Sequence, residues 1–191
     1  MRIGIFGGSF NPIHTGHLKL GKALCKRMWV DELWFLVSPI NPLKQGNREL
    51  LSAEIRLQLV QTATANLPCL RASDFEMHLP VPSYMVFTLE QLRKTYPQDT
   101  FTLIIGADNW IRFPQWKDSE EILRQHDIII YPRPGYNIDE STLPPRVRLF
   151  PTPLYDISST QIRQALAKGN YHGRGLTHAV WHEICLNHYY K

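Results

Sequence analysis

The sequence has few cysteines, no long apolar run and no signal-like N-terminus. Its cysteines are Cys25, Cys69 and Cys185, and their odd number and wide spacing are typical of neither a disulfide framework nor a metal-binding pair. The N-terminus lacks the basic segment, apolar core and cleavage site of a signal peptide, and no apolar run approaches the about 20 residues that span a membrane. These absences predict a cytoplasmic protein with no membrane partner.

The charge of the sequence is mildly basic and does not select one class of partner. The 191 residues include 21 Lys and Arg against 17 Asp and Glu, a net charge of +4, which allows phosphate-bearing ligands or nucleic acid. The basic residues are scattered along the chain rather than gathered in a block. With 43% hydrophobic residues, the chain can bury one sizeable core, so we expect a single domain over residues 1–191.

Short β-rich runs alternate along the chain with segments of helical periodicity, and this alternation predicts an α/β fold. Short β-rich runs are followed by segments with apolar residues at helical spacing, and this alternation implies a Rossmann-like, doubly wound parallel sheet in three layers, with C-terminal helices after a Pro-rich stretch. The predicted strands are residues 2–6, 33–37, 70–73, 101–105, 127–131 and 147–150, and the predicted helices are residues 15–28, 52–65, 84–94, 119–125, 158–168 and 177–190.

A glycine turn with two histidines follows the first predicted strand, where residues 7–17 read GGSFNPIHTGH. Ligands of such sheets bind beyond the carboxyl ends of the strands, and a turn that opens a helix offers its backbone amides to an anion. The sequence contains neither the G-x-G-x-x-G nor the P-loop pattern. His14 and His17 are three residues apart, on one side of the first helical turn. A lone histidine is more often structural, but the pair favours a phosphate site.

This segment resembles the signature of the nucleotidylyltransferase superfamily, a glycine turn followed by His-x-Gly-His, and the bacterial nicotinate-nucleotide adenylyltransferases in particular. The resemblance extends over nearly the whole chain. It implies an enzyme of NAD biosynthesis that transfers AMP from ATP to nicotinic acid mononucleotide and releases pyrophosphate, by direct in-line attack without a covalent intermediate. It also implies Mg²⁺ bound with ATP rather than in a protein-only metal site. The implied ATP-binding residues are Gly7, Gly8, Ser9 and Phe10, with His14 and His17 as catalytic contacts to the phosphates.

A second predicted anion site lies near the C-terminus, where residues 157–163 read ISSTQIR. Ser158 and Gln161 have capping-box spacing, and a guanidinium on the next turn can bind phosphate through two parallel hydrogen bonds. A plain helix cap with a solvated arginine is the alternative. The run resembles the family's Ile-Ser-Ser-Thr-x-Ile-Arg element. That resemblance implies an ATP-binding set of Ile157, Ser158, Ser159, Thr160 and Arg163, the last with a catalytic role.

Two further basic residues match the family less closely. The segment 38–44 resembles a family loop that reads Pro-Pro-His-Lys, and Lys44 falls on its lysine, which implies a catalytic phosphate ligand. Asn41 and Leu43 stand where the family has Pro and His, so no histidine acts there, and a solvated lysine is the alternative. Arg56 matches a family arginine, but an ion pair with Glu54 or a place in solvent would equally fit the sequence.

The segment after the fourth predicted strand reads Gly-Ala-Asp, where ligand contacts are expected. By resemblance, Gly106 and Asp108 bind the nucleotide on the ATP side, and a carboxylate can accept from two ribose hydroxyls. A helix N-cap is the alternative for Asp108.

The acceptor site is implied by two segments. Trp116 resembles the family tryptophan that stacks on the pyridine ring, although an isolated tryptophan is more often a core residue. The implied acceptor ligands also include Ser83, Tyr84 and Thr88, in a segment that departs from the family at Met85 and Phe87.

Two other functions remain as alternatives at this point. A phosphopantetheine adenylyltransferase shares the first turn and the hydroxyl-rich element, but the Gly-Ala-Asp and Trp116 segments favour the pyridine nucleotide. A basic RNA-binding α/β module would explain the charge, but the chain is short and shows no anticodon module, so we expect no nucleic-acid partner. The sequence leaves open the choice between nicotinate and nicotinamide, and whether the chain forms a homo-oligomer.

Overall fold

The computed structural model describes residues 1–39 and 50–190. Within these ranges the chain forms a parallel sheet with helices on both faces. The strands are β1 (Arg2–Gly8), β2 (Glu32–Val37), β3 (Leu70–Ser73), β4 (Thr100–Gly106), β5 (Asp127–Tyr131) and β6 (Val147–Leu149). The helices are α1 (Thr15–Lys26), α2 (Ala53–Thr64), α3 (Met85–Thr95), α4 (Ala107–Arg112), α5 (Ser119–Gln125), α6 (Ser159–Ala167) and α7 (His178–Leu186), and 3₁₀ turns span Phe75–His78, Phe113–Gln115 and Glu140–Thr142.

The strand order is β3-β2-β1-β4-β5-β6, and each described pair of neighbours is parallel. This order is typical of a doubly wound Rossmann-like sheet, so the predicted fold class is confirmed. The chain runs from β1 outward through β2 and β3, then returns to the other side of β1 at β4. The crevice between the β1 and β4 loops is therefore the topological switch point, where ligands bind in such sheets.

Alternate side chains of β1 pack into two hydrophobic clusters, one on each face of the sheet. Phe6 packs with α1, α2 and the C-terminal helices, whereas Ile3 and Ile5 pack with α3 and α5 on the other face. All three side chains are buried, and full burial of such a side chain contributes about 1.5–3 kcal/mol. Because both faces of the strand are covered, its sequence is continuously apolar up to the glycines.

The structure corrects the predicted C-terminal helix and adds a short one. The helix predicted over residues 177–190 ends at Leu186, because His188 and Tyr190 adopt left-handed backbone angles, with φ of 55° and 68°, that a right-handed helix cannot contain. Helix α4 directly follows β4 and was not predicted. Within the described ranges, no helix is both long and apolar enough to cross a membrane.

Candidate active site

Two histidines stack at the start of α1, directly beyond the end of β1. His14 is the N-cap residue of α1, and its ring lies 3.6 Å from that of His17, centroid to centroid, with a 20° interplanar angle. The Nδ1 atom of His17 accepts a hydrogen bond from the backbone N–H of His14, at 3.2 Å. A neutral His17 must therefore carry its proton on Nε2. The predicted placement of both rings on one side of the helix is confirmed.

Both imidazoles are held neutral at physiological pH. Burial lowers the pKa of His14 to about 3, with a smaller contribution from the positive charge of Arg133. Burial also lowers the pKa of His17 well below its ordinary value, with His14 and Arg133 adding to the effect. Among the described residues, the Nδ1 atom of His14 is buried without a hydrogen-bond partner. A neutral pair with spare ring nitrogens can donate to an anion without being charged beforehand.

The low pKa of His14 predicts that acid destabilises the protein. An unfolded histidine binds a proton near pH 6.5, and the folded His14 does so only near pH 3. The unfolded state therefore takes up the proton first as the pH falls between these values, and stability falls with it. From pH 7.5 to 5.0 this group alone should cost about 2 kcal/mol.

Urea unfolding of the wild type and of His14→Asn at both pH values measures this effect. The variant should lose about 2 kcal/mol less than the wild type on acidification. Glu76, whose pKa burial raises, acts in the opposite direction in both proteins, so it cancels in the difference. Equal pH dependence in the two proteins would contradict the prediction.

An arginine and an aspartate face each other beside the histidines. The Nε atom of Arg133 lies 3.6 Å from Oδ1 of Asp108, and within the described part of the chain neither atom has a hydrogen-bond partner. Gly106 is the N-cap of α4, so Asp108 lies in the first turn and is not the cap, which removes that alternative. A Cβ atom at Gly106 would stand 2.4 Å from Oδ1 of Asp108, so a larger residue there would displace the Asp108 carboxylate.

A small cavity lies between Arg133 and the two histidines. It is lined by His14, His17, Tyr131, Arg133 and Ile157, among others, and has a volume of about 20 Å³. These residues come from the start of α1, from the end of β5 and the residues after it, and from the segment before α6. The carboxyl edge of the sheet therefore gathers ring nitrogens and a guanidinium around one point.

The hydroxyl-rich segment docks onto the β1–α1 loop, which we define as residues 9–14. Ser158 caps α6 by accepting from the backbone N–H of Gln161, at 3.3 Å. Ser159 Oγ donates to the carbonyl of Pro12 at 2.9 Å, and Arg163 Nη1 donates to the carbonyl of Asn11 at 2.9 Å. The two predicted anion sites, about 150 residues apart in sequence, are thus brought together. Thr160 is exposed on the first turn of α6.

Arg56 is fully buried below this loop. Its guanidinium donates to the carbonyls of Ser9 at 2.7 Å, Leu51 at 2.9 Å and Pro39 at 3.1 Å. Both sequence-based alternatives, an ion pair with Glu54 and a place in solvent, are therefore wrong. A side chain with donors in a rigid planar fork can bind three carbonyls at once, so Arg56 joins three loops at the carboxyl edge of the sheet.

A second cavity, which we call the aromatic cavity, lies on the other side of the end of β1. Its volume is about 200 Å³. The lining combines the last two glycines of β1 with aromatic and polar side chains, chiefly from the segments before α3 and after α4. The residues are Gly7, Gly8, Ser38, Glu76, Ser83, Tyr84, Met85, Asn109, Gln115, Trp116 and Lys117. It therefore unites Ser83, Tyr84 and Trp116, all predicted to bind the acceptor.

Thr88 does not line the aromatic cavity. Its side chain is fully buried, and its hydroxyl donates to Oε1 of Glu76 at 3.0 Å. Ser38 donates to the other carboxylate oxygen at 2.7 Å. The prediction of Thr88 as a direct ligand is corrected by this burial: its hydroxyl bonds Glu76 and the carbonyl of Tyr84, which both line the cavity.

Other predicted residues take less direct positions. Phe10 is buried against Phe6 and Phe35, so its ring belongs to the core, and only its backbone lies along the loop. Lys44 lies outside the described residues. Of the two family departures, Met85 lines the aromatic cavity and Phe87 is exposed.

Sequence reasoning missed Arg133 and Glu76. Arg133 follows the end of β5 by two residues, the position where ligand contacts are expected, but it lies in the Pro-rich stretch of residues 132–153, whose composition is typical of irregular structure. Glu76 lies in a 3₁₀ turn after β3 and had no motif to distinguish it from a surface acid. For both residues, the usable signal was their place just after a strand of a parallel sheet.

Comparisons with known proteins agree with this geometry. Residues 5–165 match the Cytidylyltransferase-like family model. A Bacteroides thetaiotaomicron protein named "probable nicotinate-nucleotide adenylyltransferase" is 55% identical over 166 residues, 87% of this chain and 82% of the relative. A Flavobacterium johnsoniae protein of the same name is 39% identical over the full length of both chains.

A solved structure shares the fold. The Plasmodium falciparum nicotinic acid mononucleotide adenylyltransferase complexed with NaAD superposes with a TM-score of 0.83 over 99% of this chain and 97% of that one, at 22% identity. The chain described here therefore belongs to the cytidylyltransferase-like family and, within it, to the nicotinate-nucleotide adenylyltransferases, a group of nucleotidyltransferase enzymes.

Proposed function

We propose that this enzyme transfers the AMP part of ATP to nicotinic acid mononucleotide. The observation that carries the proposal is the division of the carboxyl edge of the sheet into two sites by the glycine end of β1. On one side lie the stacked histidines and Arg133. On the other lies the aromatic cavity. A polar site beside an aromatic one suits a polyphosphate and a ring-bearing nucleotide whose phosphates meet between them.

On the ATP side, we assign the phosphates to His14, His17, Arg133 and Arg163. Three observations support the assignment: the Nε2 proton of His17, the partnerless nitrogens of His14 and Arg133 among the described residues, and the docking of Arg163 on the loop. We assign the ribose to Asp108, whose Oδ1 is also without a described partner. The rest of the proposed ATP set follows the sequence assignment: Gly7, Gly8, Ser9, the backbone of Phe10, Gly106, Ile157, Ser158, Ser159 and Thr160.

The chemistry needs no protein nucleophile. A phosphate oxygen of the acceptor attacks the α-phosphorus of ATP in line, the bond to the bridging oxygen of the β-phosphate breaks, and pyrophosphate leaves. The attacking oxygen is already anionic, so no general base is required, and catalysis comes from positioning and from donors aimed at the developing charge. Mg²⁺ would enter with ATP and supply positive charge to its phosphates.

The protein itself contributes no evident metal site in the part of the chain that the structure describes, because no three His, Cys, Asp or Glu side chains cluster there. Lys44 keeps its proposed role as a phosphate ligand. The three cysteines are free thiols, which fits the reducing cytoplasm that we propose as the compartment.

For the acceptor, we assign the pyridine ring to the aromatic cavity. Trp116 offers a face for stacking, and Ser83 and Tyr84 line the same space. Stacking on an aromatic side chain contributes about 1–3 kcal/mol for nucleobases, and a pyridine ring has a similar π face. Glu76 lies in the cavity wall, held by two hydroxyl donors.

The proposed function is tested by supplying ATP and magnesium with one acceptor at a time and following pyrophosphate release. Nicotinic acid mononucleotide should give the highest kcat/KM, nicotinamide mononucleotide a lower one, and phosphopantetheine none. Highest activity on phosphopantetheine, or no release with either pyridine nucleotide, would overturn the proposal.

Arg163→Lys should raise the KM for ATP about three- to tenfold while keeping the charge. An ammonium cannot replace a planar fork that donates to the Asn11 carbonyl and to phosphate together. Steady-state kinetics with ATP as the varied substrate measure the change. The matched control is Arg146→Lys, an exposed arginine just before β6, at the opposite edge of the sheet. An unchanged KM in Arg163→Lys would remove this arginine from the proposed ATP-binding set.

A further inference from the structure

A buried asparagine in the β1–α1 loop is held from three directions. Asn11 is 3% exposed. Its Oδ1 atom accepts from the backbone N–H of Leu51 at 3.3 Å and from the hydroxyl of Tyr190 at 2.8 Å. Its backbone carbonyl accepts from Arg163. The loop conformation is therefore fixed by groups from the segment before α2, from α6 and from the far C-terminus.

Tyr190 reaches Asn11 because the chain leaves the helical path after α7. Helix α7 is fixed to α2 by a 2.7 Å hydrogen bond from Thr62 to Glu183. Beyond its end at Leu186, residues 188 and 190 adopt the left-handed backbone angles described above. Such angles cost non-glycine residues about 1–2 kcal/mol each, and strain of this kind persists only where surrounding contacts hold the backbone in place. At residues 188 and 190 this backbone conformation brings the Tyr190 hydroxyl to the β1–α1 loop.

From these contacts we propose that Tyr190 is a positioning residue for the ATP phosphates and acts through Asn11. This inference rests on the proposed function, which assigns the β1–α1 loop to ATP. The hydroxyl holds the Asn11 side chain, and the Asn11 carbonyl in turn sets where Arg163 points. The hydrogen bond joins residues that are 179 apart in sequence, so the segment after α7 helps to fix the β1–α1 loop.

The charges around the hydroxyl are consistent with this role. Burial raises the pKa of Tyr190 far above its ordinary value, although the cations Arg163 and Arg56 oppose the shift. The hydroxyl therefore stays protonated and remains a donor. Arg56 lies on the same side of the loop and holds the Ser9 carbonyl, so Tyr190 completes a buried polar layer beneath the phosphate-binding face.

The test is Tyr190→Phe, which removes the hydroxyl and keeps the ring. The matched control is Tyr189→Phe, since Tyr189 is a neighbouring, partly buried tyrosine. Calorimetric titration with ATP alone and steady-state kinetics are measured for each protein. Tyr190→Phe should raise the Kd and KM for ATP about three- to tenfold, the range expected for one hydrogen bond. The KM for the acceptor should not change, and Tyr189→Phe should match the wild type.

A double-mutant cycle with Asn11→Ala separates positioning from general stability. If Tyr190 acts through Asn11, adding Tyr190→Phe to Asn11→Ala should change the ATP constants less than twofold. Equal ATP constants in Tyr190→Phe and Tyr189→Phe, or full additivity in the cycle, would overturn the inference. Titration with ATP alone needs no acceptor, so it decides the role of Tyr190 even if the acceptor panel disproves the proposed reaction.

Discussion

His17→Ala should lower kcat by about 10²–10³-fold and change the KM for ATP far less. The His17 ring has its Nδ1 atom occupied by the His14 backbone N–H, which leaves an Nε2–H beside the small cavity at the histidines. A donor aimed at charge that develops in the transition state contributes about 3–4 kcal/mol, and its loss appears in kcat rather than in ground-state binding. Steady-state kinetics with each substrate varied measure both constants.

Loss of packing must be separated from loss of the donor in this variant. The His17 ring also contacts Phe6 and Phe10 edge to face, so truncation will lower the melting temperature. His126→Ala is the matched control, since His126 is buried before β5 at the opposite edge and bonds the Phe101 carbonyl. It should lose stability while its folded form keeps normal turnover. A His17→Ala enzyme with near-normal kcat would remove His17 from the catalytic set.

Trp116→Ala should raise the KM for the pyridine nucleotide about 5- to 100-fold and leave the KM for ATP within about twofold. The expected loss is that of one stacking contact, about 1–3 kcal/mol. Trp116 lines the aromatic cavity, on the far side of β1 from the histidines. Kinetics with the acceptor varied at saturating ATP measure the effect.

Trp110→Ala is the control for packing. The two tryptophans lie on the same phenylalanine, since both rings are 5.3 Å from that of Phe113. Trp110 is not among the cavity-lining residues. Both variants should melt at lower temperature, because both lose partly buried aromatic surface. If they affect the two substrates alike and in proportion to stability, Trp116 is a core residue and the stacking assignment is wrong.

The fold was predictable because nearly every helix and strand has a recognisable local sequence pattern. Buried parallel strands are continuous apolar runs, and helices show apolar spacing, so α/β alternation could be recognised directly. Helix α4 was not predicted because it is only six residues long and begins directly at the end of β4, without a linking turn. The C-terminal end of α7 was misplaced because the left-handed backbone angles that follow it belong to His188 and Tyr190, where no glycine signals them in the sequence.

The site was predictable only where a motif was contiguous. The stacked histidines come from one turn of one helix, so their spacing places them together. The role of Arg56 was not predictable, because its three partners come from three loops that only the folded sheet assembles. Thr88 was misjudged for the related reason that a motif match identifies a position but not which way the side chain faces.

Because β1 divides the site, its two halves are built from different segments of the sequence. The aromatic cavity draws on the segments before α3 and after α4, whereas the histidines and the α6 contacts lie in other segments. Under the proposed assignment, substitutions in the first pair of segments would therefore change acceptor choice without altering the histidine turn or the α6 contacts.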